Sequence, residues 1–186
     1  LEQLAELQED RGEIDDALET YARELVPARA RLGDLRGYAR ARQRVGEIRA
    51  QRGDPDGALP ELQAALRIFT RIADHRSAAQ LRRWLAFVAT TRGEYDQALK
   101  ILRTEVLPVF SGPDDRSERA MTLKEIAHDE GVDGDPKAAI ELLRQQVLPG
   151  LSGPGDIREH AIAKAYLAQF LAGEQRSDEA IRLFGE

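Results

Sequence analysis

Three histidines, His75, His128 and His160, are the side chains best suited to bind a metal or to move a proton near neutral pH. No two of them stand four residues apart, the spacing at which one helix presents a pair of zinc ligands. His75 falls in an expected turn and the other two on expected helices, so all three read as surface or edge residues. The acidic stretch 129–135 has the look of a calcium loop. Counted from Asp129, however, position 3 is Gly131 and position 12 is Ile140, where a carboxylate is required. It reads as an acidic turn between helices. No Gly-rich loop ends in Gly-Lys-Ser/Thr, so phosphates have no P-loop cradle. Ser111 and Ser152 sit in Ser-Gly-Pro turns and not in a nucleophile elbow. Cys is absent, which removes disulfides, thiolate metal sites and a thiol nucleophile. The expectation is a chain that is not an enzyme and carries no cofactor and no metal.

The remaining basic–aromatic cluster is Arg82-Arg83-Trp84, which has the composition to stack on a base or a phosphate-bearing ligand. The 186 residues carry 27 Lys+Arg against 33 Asp+Glu, a net charge of −6, and no basic stripe repeats. Nucleic acid is therefore not the expected partner. Trp84 is expected to pack on a neighbouring helix with Arg83 exposed. No apolar run reaches the roughly 20 residues of a membrane helix, and no apolar leader follows Leu1. A cytoplasmic location without membrane contact is the expectation. A hydrophobic fraction of 42 % supports a folded core.

What positions these residues is a repeat. Gly12, Gly53, Gly93 and Gly134 stand 41, 40 and 41 residues apart, and Gln175 occupies the fifth frame. Five residues after each comes Ala: Ala17, Ala58, Ala98, Ala139 and Ala180. Eight residues before each stands an aliphatic side chain: Leu4, Val45, Leu85, Ile126 and Leu167. A small residue follows it every time: Ala5, Gly46, Ala86, Ala127 and Ala168. Each unit reads as two helices. The first spans 37–51, 77–92, 117–130 and 158–172, with 1–10 as a short copy. The second spans 14–31, 55–72, 95–110 and 136–151, with 177–184 cut short. Apolar residues such as Leu81, Leu85 and Val88 recur at helical spacing.

Asp54-Pro55 and Asp135-Pro136 pair an N-cap acceptor with a Pro at the first helical position. The loops between units each carry an Asp at the next helix start, followed by Arg36, Arg76, Arg116 or Arg158. That Asp-Arg pattern is expected to be structural, as a cap or as a link between units. Pro27, Pro108 and Pro149 recur late in the second helix, with Ile68 in their place in one unit, and imply a bend. Pro60 has no counterpart. The units run approximately 1–32, 33–73, 74–113, 114–155 and 156–186, stacked as a single domain. Apolar residues near both termini (Leu1, Leu4 and Leu7; Ile181, Leu183 and Phe184) are expected to be partly uncovered, as in a segment of a longer array.

The pattern resembles the tetratricopeptide repeat (TPR). The carriers are Leu85-Ala86, Gly93 eight residues on, Ala98 and Leu102. The period of 40–41 exceeds the usual value near 34. It is similar to the long-repeat branch found in cell-polarity adaptors and in bacterial multidomain signalling regulators. The run at 93–99 (Gly-Glu-Tyr-Asp-Gln-Ala-Leu) and the run at 107–110 (Leu-Pro-Val-Phe) look like the second group. The resemblance implies an all-α, right-handed superhelix of antiparallel helix pairs whose first helices line a concave, peptide-binding face. The inward positions are then Glu2 and Glu6, Gln43 and Glu47, Arg83 and Phe87, Lys124 and His128, Ala165 and Gln169. The expected partner contacts are Arg40, Gln43, Glu47, Gln80, Arg83, Phe87, Lys124, His128 and Gln169. Arg83 and Lys124 would pair with a carboxylate, and Phe87 would hold an apolar anchor. Relatives that grip peptides use an Asn after the small residue. Here Glu6, Glu47, Phe87, His128 and Gln169 stand there, so the Asn ladder and the carboxylate clamp are missing. The expected function is a scaffold that seats a protein segment in its groove. The alternative is a regulatory array within a larger signalling NTPase or caspase-like protease, with other domains of the same chain as partners.

Overall fold

The computed structural model describes the backbone of residues 1–185 and the side chains of residues 1–183, so Phe184 lies outside the described side chains. Among the described residues there are ten longer helices, one short 3-10 helix (Pro113–Asp115) and no strand. The longer ones are α1 (Glu2–Asp10), α2 (residues 14–31), α3 (Leu35–Gln51), α4 (Pro55–Arg71) and α5 (His75–Thr91). Then come α6 (residues 95–109), α7 (Arg116–Asp133), α8 (residues 136–150), α9 (Ile157–Gly173) and α10 (Ser177–Gly185). Contacts gather them into two compact units, Leu1–Gly93 and the chain from Glu94 onward.

The turns inside a pair follow from one glycine. At Gly53, φ is 75°, a left-handed value that only Gly adopts without strain. It lets the Asp54 N–H reach back to the Arg49 carbonyl at 2.9 Å and the Gly53 N–H to Ala50 at 3.1 Å, closing α3. The Asp54 carboxylate then accepts the Gly57 N–H at 2.8 Å and opens α4. Asp34, Asp74 and Asp135 cap α3, α5 and α8 in the same way. Capping starts α3 and α5 two residues earlier than the apolar pattern suggests. His75 is thus the first residue of α5 and not part of a turn.

Asp115 and Asp156 do something else. Neither caps its following helix. Their carboxylates reach back to the N–H groups of Gly112 (3.0 Å) and Gly153 (2.9 Å), bracing the Gly-Pro turns that precede α7 and α9. Asp156 also accepts from the Ser117 hydroxyl at 2.9 Å. Two of the arginines after the aspartates tie elements together, Arg36 to the next pair and Arg116 to the end of its own pair. Arg36 meets Asp74 at 3.2 Å, and Arg116 donates to the Pro149 carbonyl and to Ser152 Oγ.

The recurrent prolines have a structural counterpart. Before Pro27, Pro108 and Pro149 the chain widens into π-helix, at Thr20–Leu25, Leu102–Val106 and Leu143–Val147. In each case the residue before the Pro donates five residues back: Val26 to Tyr21, Leu107 to Leu102, Leu148 to Leu143. Pro cannot donate, and its ring collides with the carbonyl four residues earlier; a wider turn removes that collision. Helix α4, with Ile68 in this column, stays α-helical from end to end. After the prolines, Phe110 and Leu151 turn inward and are fully buried. Pro60 leaves α4 unbroken and is exposed.

The small column does what its size allows. Ala5, Ala17, Ala58, Ala86, Ala98, Ala127 and Ala139 are all buried, as are Ala168 and Ala180. A Cβ on Gly46 would lie 2.7 Å from Leu62 Cδ2, so α3 and α4 touch there. Helix α7 runs three residues past its expected end, to a cap at Gly134 with φ 127°, and Gly131 lies close against the Phe170 ring. The stretch 129–135 is accordingly not a turn for most of its length: Asp129 is buried inside the helix. Around these contacts unit 1 packs Leu62, Phe69, Leu81 and Val88 into one cluster and Tyr21, Leu25, Val45 and Ile48 into another. Leu1, Leu4, Leu7 and Ile181 remain about half exposed or more.

Candidate functional site

In unit 1 a cleft of about 430 Å³ is walled by α1, α3 and α5 over a floor from α2. Helix α1 contributes Glu2, Glu6 and Glu9, whose spacing places them on one face. Helix α3 contributes Arg40, Gln43 and Arg44, and α5 contributes Ser77 and Gln80, again at one-turn spacing. Tyr21 and Leu25 of α2, both nearly fully buried, form the floor. Three of the nine expected contact residues, Arg40, Gln43 and Gln80, therefore meet here.

The cleft is held by two charge networks. Arg44 donates to both Glu9 and Glu47, and Gln43 Nε2 donates to Glu47 Oε1 at 2.7 Å. Burial lowers the Arg44 proton affinity, but the carboxylates of Glu47 and Glu9 outweigh it and keep the guanidinium charged above its ordinary range. Tyr21 is pushed up to about 12, first by burial and then by its hydrogen bond to Glu9. At the other end Arg29 donates to Glu2 at 2.6 Å and to Asp34 at 2.8 Å. The Gly37 N–H on the Asp34 carboxylate, helped by Arg29, holds that acid below the usual carboxylate range.

Glu47, expected in the groove, is turned into this network and only 4 % exposed. It orients Gln43 and Arg44 and does not face outward. Further along unit 1, Phe87 stands 38 % exposed and edge-on to Trp84, with ring centroids 5.6 Å apart. Trp84 packs against the core as expected, while Arg83 is half-buried rather than exposed.

In unit 2 the same columns have a different fate. The Lys124 side chain is only 8 % exposed and its ammonium is ion-paired with Glu159, so it forms no basic patch. His128 is half-buried, 3.1 Å from Asp129 and 4.6 Å from the centroid of Tyr166. Burial, with Glu125, Asp129 and Glu159 behind it, pushes Tyr166 above its ordinary value. His160 Nδ1 lies 2.8 Å from the Leu151 carbonyl, a contact that ties α9 to the end of α8. Gln169 is exposed. Among the described residues no three His, Asp or Glu side chains gather in a way that could hold a metal ion, and no helix is long and apolar enough to cross a membrane.

Sequence reasoning missed Tyr21, Leu25, Arg44 and Ser77 as cleft residues. Ser77 was legible as the third residue after a capping Asp. Tyr21 and Leu25 were not, because only the first helices were expected to line the groove.

A family model for the tetratricopeptide repeat matches residues 37–106. Comparison with curated proteins finds no match. Among solved structures, a Podosopora anserina protein of kinesin light chain type, with nearly identical TPR-like repeats, is 18 % identical at a TM-score of 0.67. The alignment covers 98 % of this chain and 89 % of that one. BtubC (BKLC) from P. vanneervenii is 16 % identical at a TM-score of 0.77, with 98 % and 77 % covered. At such identities the likeness is one of fold. The chain is an all-α helical-repeat solenoid of the TPR kind. Such repeats are, as a class, generally protein–protein interaction scaffolds.

Proposed function

We propose that the chain is a non-catalytic scaffold that seats an extended protein segment on its first helices, with the unit 1 cleft as the main seat. The observation that carries this is the cleft itself: Arg40, Gln43 and Gln80, three of the expected contact residues, line one cavity of about 430 Å³. That volume lies within the range of ordinary ligand clefts. Amide side chains such as Gln43 and Gln80 suit an extended backbone, because they both donate and accept. In this reading Phe87 offers an apolar contact beside Arg83 on α5, and Gln169 is the outward position of unit 2. Glu47, Lys124 and His128 serve inward, by fixing their neighbours.

The test is a random peptide display selection on the immobilised chain. Enriched peptides should bind the wild-type chain and bind the Gln43→Ala/Gln80→Ala variant at least about tenfold more weakly. Helical content should be unchanged by circular dichroism. Peptides that bind both chains equally, or a selection that enriches nothing, would remove the cleft from the account.

A further inference from the structure

The cleft has walls of opposite sign, and most of their charge is already neutralised across the gap. Residues 1–19 hold eight carboxylates and a single base, Arg11. Residues 20–93 hold fifteen arginines and seven carboxylates. The chain through α1 and the start of α2 is thus acidic and the rest of unit 1 is basic. Glu2 is taken by Arg29, and Glu9 by Arg44. Two cleft charges are left over. Glu6 on α1 and Arg40 on α3 are both exposed, and neither makes an ion pair or a side-chain hydrogen bond among the described residues.

We propose that the cleft selects a dipolar partner segment, with a Lys or Arg side chain placed on Glu6 and an Asp or Glu side chain placed on Arg40. This rests on the reading that a protein segment occupies the cleft, and adds the chemistry of that segment. The two existing networks bias the choice further. Arg29 serves both Glu2 and Asp34, on which Arg40 also acts electrostatically, and Arg44 serves both Glu9 and Glu47, so the Arg44 network keeps one excess negative charge. A cation is therefore worth more than an anion in this cleft. The buried floor of Tyr21 and Leu25 keeps water from one side of these charges, which strengthens each pair over one in open solvent. An apolar stem of Lys or Arg can lie on Leu25 while its head reaches Glu6. A segment with anions alone meets the excess negative charge, and a segment with cations alone leaves Arg40 unpaired and repelling.

The test uses fluorescein-labelled Ser/Gln peptides of one length. One series carries one Lys and one Asp at varied separation. The controls carry Lys alone, Asp alone or neither. Anisotropy titrations at low and high salt should rank the best dipolar peptide first, then Lys alone, then neutral, then Asp alone. The first should bind about fivefold or more tighter than the neutral peptide, and salt should shrink the gap. Glu6→Gln should shrink the advantage of the Lys peptide over the neutral one, and Arg40→Gln should remove the gain that Asp adds to the Lys peptide. Both positions are exposed, so the fold should tolerate either change. A neutral peptide that binds as tightly as the dipolar one, yet is lost on Gln43→Ala/Gln80→Ala, would overturn the dipolar proposal and leave the cleft reading intact. If no peptide binds, both fall.

Discussion

The first helices of units 1 and 2 put their polar side chains to different use. In unit 1 Arg40, Gln43 and Gln80 line an open cleft. In unit 2 Lys124 is closed off by Glu159, and His128 leans on Tyr166 and Asp129. The column decides where a side chain starts. The residue one repeat away decides whether its charge is still available. Arg44 with Glu9 and Lys124 with Glu159 are both pairs across successive first helices at a separation of 35. Such pairs stiffen the stack and remove their members from partner contact.

This contrast can be broken most severely at its buried charges. Arg44→Met leaves the Glu47 carboxylate buried without its cation and should cost unit 1 about 3–5 kcal/mol in urea unfolding. Arg40→Met, in the same helix but exposed, should stay within about 0.5 kcal/mol of wild type. Equal effects would mean that the two arginines are not divided between structure and surface.

Packing comes next. Gly46→Ala drives a Cβ to 2.7 Å from Leu62 Cδ2 and should cost about 1–3 kcal/mol. Gly131→Ala, which meets the Phe170 ring, should do the same in unit 2. A neutral result in thermal unfolding at either site would show that the helices do not approach as closely there.

Alkaline pH separates the floor of the cleft from the rest. Tyr21 has its folded value raised from 10.0 to about 12, so the neutral phenol favours the folded state. Its contribution is fully present below pH 10 and is lost as pH rises through 12. Stability of wild type should fall across that window more steeply than that of Tyr21→Phe. Parallel curves would place Tyr21 in contact with water.

The smallest effect is a gain. Gln175 has φ 61° in the turn position that Gly12, Gly53 and Gly93 occupy. Gln175→Gly should add up to about 1 kcal/mol, whereas Gly53→Ala should lose about as much. A loss from Gln175→Gly would show that unfolded-state entropy outweighs the relief of strain.

Much of the fold was legible because repetition exposes geometry: a small residue recurring beside an aliphatic one has to be a helix crossing, and Gly46 against Leu62 shows why. The prolines were legible as bends, but not as π-helix, since the wider turn depends on the bond that Val26, Leu107 or Leu148 makes instead. Gln43 was named from its column, and Arg40 and Gln80 as helpers beside it. Glu47 and Lys124 could not, because their columns say nothing of Arg44 or Glu159 reaching them. The roles of Asp115 and Asp156 were misread for a similar reason: a Gly-Pro turn before the helix offered their carboxylates closer donors.

The central claim is that binding energy resides in the open cleft of unit 1 and not in the closed column of unit 2. Calorimetric titration of one selected peptide into wild type, Gln43→Ala/Gln80→Ala and Lys124→Met, each checked for folding, tests it most directly. The account predicts at least about tenfold weaker binding for the cleft variant and wild-type affinity for Lys124→Met. Unchanged affinity in the cleft variant, with loss in Lys124→Met, would contradict it.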